Sequence, residues 1–186
     1  FDKERWENRL KKLLKVLDLE KEIIKAENFS NNIDICRGEI CLSVKDDMQA
    51  DSLKLNKGQV DLATIYIAES INNFAEKYPG SVCVVYIPSP SLIYKIDNFK
   101  PAPYYVKGKN NIRYSYEEHK SRSIYIRERF ASLFRARAKY LDSTSYLTEV
   151  GSKEIIHGKK DFNHFNESGY KYLANWLFMK HHNCFN

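Results

Sequence analysis

The sequence lacks several things that would place it quickly. No Cys-x-x-Cys pair occurs, so a tetrahedral zinc site has no ready set of ligands. No stretch approaches the ~20 apolar residues that a membrane-crossing helix needs, so no membrane span is expected. Glycine and proline number only 7 and 5 among 186 residues, and no segment is repeated or low in complexity. That excludes the make-up of a disordered chain and leaves enough residues for one domain with a real core. The net charge of +6 is not gathered into one block. Basic residues are densest at Lys11-Lys12, Lys107 to Lys109 and Arg127 to Lys139, without the interleaved aromatics of an RNA-binding module. Nucleic acid is therefore not the expected partner. His157, His164, His181 and His182 match no zinc-protease spacing, and neither metal nor cofactor is expected.

An initiator methionine is also missing: the chain begins at Phe1 and its first methionine is Met48. The expectation is a portion of a longer chain, with any targeting information upstream. Four cysteines are present. Cys36 and Cys41 flank Arg-Gly-Glu-Ile and could close a small disulfide loop in an exported protein; the alternative is free thiols, with Cys83 buried in a strand. The balance leans slightly toward a periplasmic or secreted protein.

What is present is periodic. Trp6, Leu10, Leu13-Leu14, Leu17 and Ile23-Ile24 recur at helical spacing, which predicts a helix over 6–25. Residues 33–44 hold a short strand or an irregular segment around Gly38, and 46–57 a polar loop or short helix. Gln59 to Lys77 carries a wide apolar face and ends at Pro79-Gly80. Val82 to Ile87 is a β-branched run bounded by Pro88, the pattern of a strand buried on both faces. Ser89 to Glu118, with three prolines and several tyrosines, predicts loops. A third helix over 117–137 follows, with Tyr125, Phe130, Leu133 and Phe134 inward, then a strand from Ala138 to Asp142. One or two helical turns, a loop over 151–160 and a last helix capped by Asn166 or Ser168 complete the chain. The order helix, strand, helix, strand, helix is that of a parallel α/β unit. Two strands alone would leave open edges, so further strands are expected from an N-terminal half or a partner chain.

The chemistry concentrates near the end, in Asp161-Phe-Asn-His164-Phe-Asn166-Glu-Ser-Gly169-Tyr170. An Asp three residues before a His can orient its imidazole, while the other ring nitrogen takes and returns the proton of a serine nucleophile. This block, followed by Leu173-Ala174 and Leu177, resembles the last block of the SGNH (GDSL-like) hydrolases. The order strand-Pro-Ser, long loop, helix, strand-Asp142, loop is similar to the same family from Gln59 onward. The resemblance implies a three-layer α/β/α, flavodoxin-like parallel sheet, of which residues 1–186 are the C-terminal portion of a single domain. It implies a serine esterase or deacylase acting on an O-acyl ester of a carbohydrate or lipid, with His164 as base and acid and Asp161 orienting it. The family's Gly-Asp-Ser turn and Gly-x-Asn-Asp-like stretch are absent, so the nucleophile and oxyanion hole are expected outside this chain.

Ser89 and Tyr94 are the candidate substrate-binding residues. Ser89 follows a strand at the end where ligands bind, and Tyr94 belongs to a tyrosine group, with Tyr104-Tyr105, Tyr114 and Tyr116, able to stack on a sugar or acyl chain. Against these stand ordinary turn and packing roles, and for Asp142 a helix-capping role. Two rivals to the esterase are a noncatalytic module binding a glycan or protein, and a polysaccharide O-acetyltransferase.

Overall fold

The computed structural model describes residues 32–45, 47–48, 50–78, 80–101, 112–158, 162–180 and 182–185. The expected helix over 6–25, Tyr104-Tyr105 and Asp161 lie outside them. The described part is a mixed α/β structure. It opens with a hairpin, β1 (Asn32–Arg37) and β2 (Ile40–Lys45), turning at Gly38, whose φ of 59° lies in the left-handed region. Cys36 and Cys41 face each other across the hairpin and form a disulfide. A two-residue strand β3 (Asp47–Met48) and a 3₁₀ turn (Asp51–Lys54) lead to α1 (Lys57–Lys77).

Helix α1 begins in a capping box: Asn56 accepts from the Gln59 amide, and the Gln59 side chain accepts from the Asn56 amide. β4 (Val82–Tyr86) follows, then a single-turn helix α2 (Pro90–Ile93), β5 (Lys100–Pro101) and α3 (Tyr116–Leu133). A second capping box, Ser115 with Glu118, starts α3. β6 (Ala138–Asp142) then pairs in parallel with β4, from Val82 opposite Ala138 to Tyr86 opposite Asp142. The chain ends in α4 (Thr144–Lys153), α5 (Glu167–Lys180) and α6 (His182–Phe185).

The α/β unit expected from the sequence is there, and β6 has the predicted bounds. Tyr140 of β6 shares a face with Tyr86 and stacks against Phe134 (5.7 Å) and Phe130 (6.4 Å) of α3. Cys83 points to the opposite face and is disulfide-bonded to Cys184 of α6. Between α1 and α3, the buried Asn72 amide donates to the Leu133 carbonyl (2.9 Å) while its oxygen accepts from Arg135 N–H (3.0 Å). That side chain satisfies the end of α3, which stops short of the expected Arg137.

Several expectations are corrected. β4 is half-exposed along its whole length rather than buried on both faces, because among the described residues only β6 pairs with it. Cys83 is not a free thiol: a disulfide ties it to Cys184 in the short helix His182 to Phe185. The stretch after Ser89 is not loop throughout: Pro90–Ile93 is helical, and Leu92, Ile93, Tyr94, Ile96 and Phe99 are all buried. With Ile35, Leu42 and Val44 of the hairpin, Leu147 of α4, and Ile155 and Ile156, most of them form the main core. Prolines suppressed the helical signal there, but the apolar side chains still had a core to fill. α4 also extends past Val150 to Lys153, into the expected loop. No described helix is long and apolar enough to cross a membrane.

Candidate functional site

At the carboxyl end of the β4–β6 pair, Ser143 ties the two strands together. Its amide (3.2 Å) and hydroxyl (2.7 Å) both donate to the Tyr86 carbonyl. Asp142 accepts from the Thr144 amide (2.9 Å) and pairs with Arg127 (2.5 Å), so it is the capping residue anticipated. Between α4 and α5 the chain pairs with itself. Gly158 N–H donates to the His164 carbonyl and Asn166 N–H to the Ile156 carbonyl, both at 3.0 Å. These two bonds form a neck that brings residues 156–158 against 164–166, with His157 bridged to Phe165.

The base of α5 grips that neck. Asn166 accepts from Gly169 N–H (2.9 Å), capping the helix, while its amide donates to the Ile155 carbonyl (2.8 Å). Gly169 comes so close that a Cβ there would lie 2.2 Å from the Ile156 carbonyl oxygen and 2.8 Å from the Phe165 ring. The glycine thus lets α5 pack directly on the neck.

His164 is exposed at this neck. Asp161, three residues earlier, is outside the described residues, so its carboxylate is not located against the imidazole. Tyr94 is 6% exposed, and its hydroxyl is committed to the chain: it accepts from Ile156 N–H and meets His157 Nδ1, each at 2.9 Å. Its ring stacks on Phe162 at 5.7 Å. Burial alone holds His157 neutral, with a pKa lowered to about 4.

Ser89 belongs to a second group. It begins α2 without capping it; its Oγ lies 2.9 Å from Ser91 Oγ, which lies 3.1 Å from His119 Nδ1. Ser91 and His119 are buried, and His119 tilts against Phe99 at 5.3 Å. Burial lowers the His119 pKa to about 4. A base so weak, with no carboxylate bonded to it in the described residues, is poorly suited to taking a serine proton. It is well suited to accepting a fixed hydrogen bond. His119, His157 and Arg37 have no place in any local motif. His119 meets Ser91 across 28 residues and His157 meets Tyr94 across 63, so only the fold brings them together.

A cleft of about 610 Å³ opens beside the first turns of α3, lined by Lys57, Tyr114, Glu117, Ser121, Arg122 and Tyr125 among others. Both α1 and α3 begin at the carboxyl end of the strands, the end where ligands bind in open α/β sheets. No family model, curated protein or solved structure matches this chain.

Proposed function

We propose that this chain is the C-terminal portion of an SGNH-type serine esterase or deacylase acting on an O-acyl ester of a carbohydrate or lipid. The observation that carries the reading is the neck that seats exposed His164 beside the start of α5: its carbonyl accepts from Gly158 N–H, while Asn166 and Gly169 fix the helix start against Ile156. A histidine acting as general base must be exposed to substrate yet held on a rigid mount, and His164 meets both requirements. Asp161 would fix its tautomer. Helices on both faces of β4–β6 support a three-layer α/β/α, flavodoxin-like sheet whose other strands come from an N-terminal half or a partner chain. Two disulfides support an oxidising compartment.

The nucleophile on this reading lies outside the chain. A fluorophosphonate probe, which labels activated serines, should therefore label the complete protein and leave these 186 residues unlabelled. His164→Ala should abolish ester hydrolysis by the complete protein, and Asp161→Asn should cost on the order of 10⁴-fold in kcat. Undiminished hydrolysis in both variants would remove the assigned roles.

One observation favours a second reading. The buried hydrogen bond between Ser91 and a histidine ends on the weakly basic His119. A noncatalytic module binding a glycan or protein would need no better base. Absence of both labelling and hydrolysis in the complete protein would select it.

A further inference from the structure

Tyr94 touches the neck at Ile156 and His157 and also meets Phe162, two residues before His164. Its hydroxyl accepts from Ile156 N–H and can donate its one proton to His157 Nδ1, the arrangement that makes His157 the Nε2–H tautomer. Its ring meets His157 edge-on at 5.4 Å and stacks on Phe162 at 5.7 Å. His157 in turn packs on Phe165 at 4.7 Å, directly after His164. The tyrosine is itself braced. The Arg37 guanidinium sits 5.6 Å from its ring centroid, and Arg37 Nε donates to the Gly151 carbonyl at 2.7 Å. Gly151 lies so close to Ile93 that a Cβ would approach its Cγ2 to 2.3 Å. Behind Tyr94, Lys95 takes a φ of 55°, a left-handed position that turns the chain sharply out of α2.

We propose that Tyr94 is a positioning residue: through Ile156, His157 and Phe162 it sets the orientation of the neck that carries His164. The sequence suggested direct contact with substrate, but a buried ring with a doubly engaged hydroxyl acts through the neck. The inference rests on the catalytic reading of His164 only for its effect on turnover; its effect on the neck stands separately. Arg37 extends the brace to the disulfide-closed hairpin, whose tip it occupies next to Cys36.

Tyr94→Phe keeps the ring and the stack and removes both hydroxyl bonds. In the full chain it should move the His157 ring nitrogens away from a single Nε2–H tautomer, read by ¹⁵N NMR. It should also speed hydrogen exchange at the Gly158 and Asn166 amides about tenfold or more, as a lost buried bond would. In the complete protein, kcat for ester hydrolysis should fall about 10- to 100-fold with KM nearly unchanged, the signature of a misplaced catalytic group rather than weaker binding. Tyr94→Leu should be worse, and Phe should restore part of its loss. Unchanged neck exchange in Tyr94→Phe would overturn the proposal. So would unchanged kcat in a protein whose His164→Ala variant is dead. If His164→Ala retains full activity, the catalytic reading has failed, and the exchange data alone decide whether Tyr94 holds the neck.

Discussion

His119 and His157 are each kept neutral by burial, and each uses Nδ1 as a hydrogen-bonding partner for a hydroxyl. Their folded pKa values, about 4, lie below the ordinary 6.5. Between those values the unfolded chain binds protons that the folded chain refuses, so stability must rise with pH there. It is fully present above about pH 6.5, falls as pH drops, and stops falling near pH 4, where both states are protonated. The shift corresponds to up to about 3 kcal/mol for each histidine. Urea unfolding at pH 7.5 and pH 4.5 should show the loss as a lower midpoint, and His157→Gln should remove about half of the difference. An equal loss in the variant would mean that carboxylates elsewhere carry it. Asp161 and His164 could be proposed as a pair from the sequence because an Asp three residues before a His is a local pattern; Asp161 itself lies outside the described residues. The roles of Tyr94 and His119 could not, since packing across 63 and 28 residues brings them to His157 and Ser91.

Elements defined by local rules were the ones readable in advance. The apolar face of α1, the β-branched run of β4 and the short strand ending at Asp142 each carry their own periodicity or composition. The hairpin, α2 and α6 do not: each is stabilised by something distant or covalent. The two disulfides differ here. Cys36–Cys41 spans a sequence separation of 5, and Cys83–Cys184 one of 101. Closing a loop of about 100 residues restricts the unfolded chain far more than closing a handful, by about 4.7 against about 2 kcal/mol in the chain-entropy account. Cys184→Ser should thus destabilise the oxidised protein more than Cys36→Ser, by about 2 kcal/mol or more in urea unfolding. It should also loosen α6, seen as faster exchange at its end. Equal costs would show that packing of Cys184, rather than the covalent link, holds the C-terminus on β4.

The molecule as a whole is unevenly covered. The main core gathers around the hairpin, α2, α4 and the 155–156 segment, beneath the candidate site. Helix α1, in contrast, leaves Leu62, Ile65, Ile67 and Phe74 exposed, and α5 leaves Phe178 and Met179 exposed, while β4 has one strand neighbour among the described residues. A parallel pair is ordinarily buried within a larger sheet, and exposed apolar side chains on flanking helices are what removal of neighbouring strands would leave. If the sheet is completed by an N-terminal half or a partner chain, the 186-residue chain alone should bind a hydrophobic dye and self-associate with rising concentration. Replacing Ile65 and Ile67 with lysine should suppress that association in light scattering without altering the fold, because both side chains already face outward. The same replacements in the complete protein should be costly, since there the two isoleucines would be interior. A chain that stays monomeric and dye-negative at high concentration would count against missing strands, and with them against the three-layer sheet on which the esterase reading depends.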